Sequence, residues 1–175
     1  MLDIESVIDW ILIKGLSGDK DYYPNVAFFR SEGTDGLWRM AAWDFDWGFS
    51  FPFCNLTSPS DELYYSIQLG NLLSSLFSYE PFRIQFLERL REALALSYTK
   101  ENILAKMDAY ETLLASEVAL DWSHWNVNIA KWDRLREEYR NIVSKGIWHK
   151  QILPGVANLP GIRRMNPASY MTENK

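Results

Sequence analysis

Cysteine and histidine are scarce in this sequence: Cys54 stands alone, and His124 and His149 are the two histidines among 175 residues. A single thiol excludes an internal disulfide and any cysteine-built metal site, and it leaves the redox compartment open. The two histidines lie far apart with no ligand spacing between them, the pattern of core or surface side chains. Long apolar runs are missing too. No stretch approaches the roughly 20 residues that cross a bilayer, and the opening MLDIESVIDW carries acids where an export signal would carry Lys or Arg. No membrane span is expected. Basic charge is the smaller share, with 18 Lys and Arg against 23 Asp and Glu, so the net charge of -5 repels polyanions at long range. A nucleic-acid partner is therefore not expected, and any phosphate ligand needs a metal ion or a few placed cations. What is plentiful is apolar: 47% of residues are hydrophobic and 15% aromatic, enough at this length to bury a core without staples.

Helical periodicity dominates the pattern. Between Asp3 and Leu16, Ile4, Val7, Ile8, Ile11, Leu12 and Leu16 recur at spacings of three and four, with Asp3 placed to cap and Glu5 in the first turn. The helix stops at Ser17-Gly18, and a polar loop runs through Asp19, Lys20, Asp21, Pro24 and Asn25. Val26 to Arg30 and Leu37 to Trp43 are short runs of strand formers around SEGTDG, which predicts an antiparallel hairpin. The hairpin delivers the chain into WDFDWGFSFPF, residues 43 to 53, and then into a polar loop. Further helices are predicted over 63–77, 80–96, 100–118 and 128–145, with Thr99 as a cap. In the second of these, Phe82, Phe86, Leu87, Leu90 and Leu94 form an apolar face, and Arg83, Glu88, Arg89, Arg91 and Glu92 the wet one. Residues 121–128 read as a short turn against the core and 150–175 as an irregular tail. The expected fold class is α+β, mostly α: a helical bundle with one small antiparallel hairpin.

The chemistry-bearing residues cluster before residue 50. Asp44 and Asp46 stand two apart among Trp43, Phe45, Trp47 and Phe49, a costly place for carboxylates unless something pairs with them. In an extended or turn segment such a pair can point the same way and offer hard oxygen ligands to Mg²⁺ or Mn²⁺, with phosphate completing the shell. Asp19, Asp21 and Asn25 form a second oxygen set that the hairpin folds back towards Asp44. The plainer reading is a structural turn, with the two carboxylates capping backbone N–H groups or pairing with Arg30 or Arg39, and an Asx-type turn at Asp21 and Asn25.

A helix, an acid-bearing loop with an Asn, a hairpin and then Asp-Phe-Asp follow one another in the order of a protein kinase's catalytic half. More closely, the sequence resembles the spore coat protein H (CotH) kinase-like family. The residues that carry the resemblance are DIESVIDWILIKGLSGD at 3–19, PNVAFFR at 24–30 and above all LWRMAAWDFDWGF at 37–49. FRIQFLERLREAL, a YTKENI helix start and a final Trp- and Arg-bearing helix extend it over roughly 3–148. The resemblance implies a kinase-like C-terminal lobe over 1–149, with metal and catalytic loops in 19–50 and a helical part in 63–149. It implies ATP with Mg²⁺ or Mn²⁺ as cofactors, Asp44, Asp46 and Asn25 as metal ligands, and Asp21, or alternatively Asp19, as the catalytic Asp. Three residues separate Asp21 from Asn25 and five separate Asp19 from it, where kinases have four. Ser50 stands where the family often has a second glycine.

The phosphate-covering loop and its lysine belong to an N-terminal lobe that would precede residue 3, and nothing here replaces them. The expectation is the C-terminal part of a longer kinase that phosphorylates Ser or Thr of a coat or surface protein, with secretion or a spore or cell surface suggested by the family. Lys14 and Lys20 read as solvated surface charges. The alternative is a non-catalytic coat, cell-surface or carbohydrate-associated interaction module on a degenerate kinase scaffold. Flat indole rings would suit sugars, but Trp10 and Trp132 in helical patterns and Trp38 on a strand read as core. A metal-dependent hydrolase is weaker, because no histidine or further acid lies nearby in sequence to activate water.

Overall fold

The structure is a computed structural model, and it describes residues 1–17, 25–33, 35–45, 67–125, 129–145 and 161–165. These form six α-helices and one two-stranded sheet: α1 Ile4–Ser17, β1 Ala27–Phe29, β2 Arg39–Ala41, α2 Ile67–Ser78, α3 Glu80–Glu92, α4 Lys100–Leu114, α5 Val118–His124 and α6 Ile129–Ser144. The fold is α+β and mostly α, as the periodicity implies. The chain divides into two compact units, Met1–Glu92 with His149–Lys175, and Ala93–Trp148.

In the first unit α1 begins where the sequence puts it. The Asp3 carboxylate accepts a hydrogen bond from the Ser6 N–H at 3.1 Å, satisfying one of the orphan donors of a helix start. Residues on either side of Leu2 bond Trp38: the Trp38 N–H donates to Met1 O and the Asp3 N–H to Trp38 O, both at 2.9 Å, making a parallel bridge. Ser6 Oγ accepts from the Met40 N–H at 2.9 Å, so α1 is tied to β2 as well. The strands are antiparallel with Ala27 opposite Ala41, Phe28 opposite Met40 and Phe29 opposite Arg39. Gly33 and Gly36 supply the left-handed backbone of the reversal, at φ 76° and 69°. Asp35 accepts from the Leu37 N–H and pairs with Arg39, whose hydrogen bond holds the Asp35 carboxyl below the usual carboxylate range.

The core of this unit is built from Val7, Ile8, Trp10, Ile11, Leu12 and Leu16 of α1, Met40 of β2, Leu73 and Phe77 of α2, and Phe82, Phe86, Leu87 and Leu90 of α3. Phe77 stands edge-on to Phe82 and Phe86, with ring centroids 5.1 Å apart in each pair. Arg83 departs from the solvated role its position suggests. Its guanidinium donates to the carbonyls of Phe77 and Ser78 at 2.8 Å each, closing the C-terminal end of α2, and its Nε reaches Met165 Sδ at 3.2 Å. Met165 belongs to a short 3₁₀ turn, Ile162–Met165, whose Ile162 is fully buried.

In the second unit Thr99 caps α4, accepting from the Asn102 N–H at 3.1 Å, as the sequence implies. Three boundaries differ from the expected ones, the first being that the helix expected over 100–118 ends at Leu114. The helix expected to 96 becomes a π-helical turn over Ala93–Ser97, in which the Tyr98 N–H reaches back five residues to Ala93 O. Of the turn expected at 121–128, residues 121–124 belong instead to α5, whose side chains are largely exposed rather than set against a core, and 126–128 lie outside the described residues. Nothing in VALDWSH breaks a helix, and its first turn follows directly from Glu117, whose carbonyl accepts from the Asp121 N–H. Both α4 and α5 pack on α6. There Arg140 spans Glu111, at 3.1 and 2.9 Å, and Asp108.

Candidate functional site

Three features of the first unit lie towards the end of the hairpin where β1 begins and β2 ends. The first is a backbone conformation: Asp44 has φ 57°, the one non-glycine among the described residues in the left-handed region. Asp tolerates that region better than most residues, because its short polar side chain can bond locally, whereas a β-branched or bulky residue is strained there. The Asp44 side chain is exposed.

The second is Lys14, in the last turn of α1. It is 4% exposed, and its ammonium donates to Trp43 O at 2.9 Å and to Asp44 O at 3.3 Å while lying 4.2 Å from the centroid of the Phe45 ring. Ring and carbonyls both present electron-rich surface to the cation. The expectation of a solvated Lys14 is thus overturned. Its position carried a signal, since Val7, Trp10, Ile11 and Lys14 fall on one helix face at spacings of three and four, the face that is buried. A lysine there must find acceptors or not be buried at all.

The third is Asn25, 5% exposed, two residues ahead of β1. Continuing the Ala27–Ala41 register two residues beyond the ladder brings Asn25 level with Trp43, beside Asp44. Of the five residues the sequence nominates, Asp44 and Asn25 are therefore carried to the same end of the hairpin. Asp19, Asp21 and Asp46 lie outside the described residues, as do Lys20 and Ser50. Among the described residues no three His, Cys, Asp or Glu side chains form a metal-binding group. The donor chemistry of Asp44 and Asn25, carboxylate and carboxamide oxygen, suits a hard divalent cation rather than a soft one.

The two arginines weighed as structural partners for the Asp44 turn are engaged elsewhere. Arg39 pairs with Asp3 at 3.0 Å and with Asp35, and Arg30 lies over the Trp38 ring, 5.3 Å from its centroid. Trp38 is also not a core residue, being 42% exposed, whereas Trp10 is buried as expected. Phe28, Phe29 and Trp43 are exposed as well. Successive residues of a strand point to opposite faces, so Phe28 and Phe29 do not make a single platform.

One cleft, of about 550 Å³, lies between α1 and α3 and is lined by Glu5, Ile8, Gln85, Glu88, Arg89, Arg91 and Glu92. Its Arg89 is bound by Asp9 at 2.8 Å and Glu92 at 2.7 Å, so this cation is already neutralised. The cleft borders the first half of α1, away from the Lys14 turn. A family model described as CotH kinase protein matches residues 1–146, spanning every part of the site described above. No curated protein and no solved structure matches the chain.

Proposed function

Since the chain belongs to the CotH kinase protein family, we propose that it is the catalytic, C-terminal part of an atypical protein kinase that moves the γ-phosphoryl group of ATP to Ser or Thr of a coat or surface protein. The observation that carries this reading is the Asp44 turn: an exposed carboxylate on a left-handed backbone, held from below by Lys14, in the segment that follows a kinase-like hairpin. Asp44 is the principal ligand for Mg²⁺ or Mn²⁺, with Asp46 and Asn25 completing the oxygen set. The bound cation supplies charge neutralisation at the ATP phosphates, which a chain of net charge -5 otherwise repels.

The loop acid, Asp21 or Asp19, accepts the hydrogen bond of the substrate hydroxyl and aims its oxygen at the γ-phosphorus. As the new O–P bond forms, the bond to the β-phosphate oxygen breaks, ADP leaves, and the hydroxyl proton passes to the loop carboxylate. Positioning and charge stabilisation supply most of the acceleration in such transfers. The test is Mn²⁺- or Mg²⁺-dependent phosphate transfer by the full-length protein beside Asp44→Ala. The variant is expected to lose roughly 100-fold or more in rate, the scale of a lost charge-stabilising group, and equal activity of the two proteins would remove Asp44 from the mechanism.

The exposed rings of Phe28, Phe29, Trp38 and Trp43, though not one platform, are the observation behind a second reading, an interaction module on a kinase scaffold. Under that reading full-length protein transfers no phosphate with either metal, and binding to its coat or surface partner is unaffected by Asp44→Ala.

A further inference from the structure

We infer that Lys14 is a positioning residue for the Asp44 metal ligand, acting through the backbone rather than by touching metal or nucleotide. The inference rests on the metal role proposed for Asp44 and extends it to a residue of α1. Burying an ammonium is costly unless its donors are satisfied, and at this helix position a Met or Leu would pack with no such demand. The charge is instead spent on two consecutive carbonyls, Trp43 O at 2.9 Å and Asp44 O at 3.3 Å, with the Phe45 ring on a further side.

Bonds to two successive peptide units restrict the rotation of both. The residue between those two units is Asp44, the described non-glycine residue at positive φ. A conformation this sparsely populated persists where its surroundings over-determine it. The backbone direction at Asp44 sets where its Cβ, and so its carboxylate, projects. Lys14 is itself anchored, because α1 carries the core residues Val7, Trp10 and Ile11 and is tied to β2 through Ser6 and Met40. The clamp therefore refers the position of an exposed ligand to the packed interior. Partners that orient a metal ligand without touching the metal typically contribute about 10- to 100-fold in affinity.

The test uses the full chain, Mn²⁺ alone as the probe, and two readouts that need no catalysis. Mn²⁺ affinity is measured by calorimetric titration, and the carbonyl ¹³C resonances of Trp43 and Asp44 are followed by NMR on metal-free protein, for wild type, Lys14→Met and Asp44→Ala. Lys14→Met keeps the length and apolar bulk of the side chain but has no donor. It is expected to bind Mn²⁺ about 10- to 100-fold more weakly, with both carbonyl resonances shifted upfield by loss of their hydrogen bonds. Asp44→Ala is expected to lose binding altogether. Wild-type Mn²⁺ affinity in folded Lys14→Met, with binding lost in Asp44→Ala, overturns the positioning role. Wild-type affinity in Asp44→Ala instead overturns the metal reading, and upfield shifts in Lys14→Met then still support the clamp. Lys14→Gln, which keeps an amide donor but loses the charge and reach, replaces Lys14→Met if the latter does not fold, and weaker or unchanged Mn²⁺ affinity then supports or overturns the role in the same way.

Discussion

Two helices of similar length do opposite things with their apolar residues. In the Met1–Glu92 unit, α1 buries Val7, Ile8, Trp10, Ile11, Leu12 and Leu16, and even its one late lysine. In the Ala93–Trp148 unit, α4 buries no side chain fully, and Tyr110 and Leu113 stand more than half exposed. The first unit is held by hydrophobic packing, which is non-directional and strong per residue. The described polar contacts between α4 and α6 of the second include the ion pairs of Arg140 with Glu111 and Asp108, on partly exposed side chains that water and salt screen. The candidate site lies on the well-packed unit. Fixing an acid within a fraction of an ångström requires a stiff support, and packing supplies it where surface ion pairs do not.

The contrast can be broken most decisively by truncating one apolar residue in each unit. Phe86 is 1% exposed, and Phe86→Ala is expected to cost about 3–5 kcal/mol in urea unfolding. Leu113 is 69% exposed, and Leu113→Ala is expected to stay within about 0.5 kcal/mol of wild type. Similar losses for the two would mean that the units share one kind of support.

A smaller effect is expected within the packed unit itself. Gly161 has φ 75°, and a Cβ there would meet Arg83 Cδ and Nη1 at 3.0 Å, against a guanidinium already committed to two carbonyls of α2. Gly161→Ala should cost about 1–2 kcal/mol from the left-handed backbone alone. A neutral result would show that the backbone at 161 and the Arg83 side chain accommodate a methyl group without loss of the α2 contacts.

The smallest effects concern pH and separate the units at opposite ends of the scale. Asp35, in the first unit, titrates below its ordinary value because of the Arg39 hydrogen bond and the Leu37 N–H. A lowered carboxyl pKa means its contribution is present above the unfolded value of about 4 and is lost as pH falls through the folded one. Burial pushes the Tyr139 phenol of the second unit up, with Glu138 adding to the shift. A phenol is neutral when protonated, so raising its pKa destabilises the folded state only where the unfolded chain would ionise: the penalty is absent below the unfolded value of about 10 and grows as pH rises towards the higher folded one. Asp35→Asn should therefore flatten the melting temperature profile on the acid side alone, and Tyr139→Phe on the alkaline side alone. A change at the opposite end in either variant would contradict the assignment.

Local signals in the sequence were sufficient for the helix caps, whose partners lie within a turn. Asp3 meets Ser6 and Thr99 meets Asn102 three residues on, and both caps stand as the sequence implies. The hairpin was legible from its strand formers and glycines. What stayed hidden depended on partners distant in the chain. The Lys14 acceptors are 29 and 30 residues away, and the Arg83 contact to Met165 spans 82. A lysine or arginine on a helix reads as solvated unless those acceptors are known, although the position of Lys14 on the apolar face was a usable hint. The short α5 escaped because a seven-residue helix takes its stability from neighbours rather than from its own propensity. At the candidate site the acid-rich segment stood out in the sequence, but the left-handed conformation of Asp44 did not, since Asp enters αL only as a minority conformation beside αR and β.

That conformation acts as a double filter on what residue 44 could be. A glycine satisfies the backbone at φ 57° but brings no ligand, and an asparagine satisfies it while offering a neutral oxygen. A glutamate keeps the negative charge, but its longer side chain loses the short local hydrogen bonding that makes αL accessible to Asp and Asn. Two independent demands, one steric and one electrostatic, overlap on aspartate. Under the proposed metal role, geometry and charge together narrow the choice of amino acid at this position, and a substitution that conserves charge alone is no conservative change.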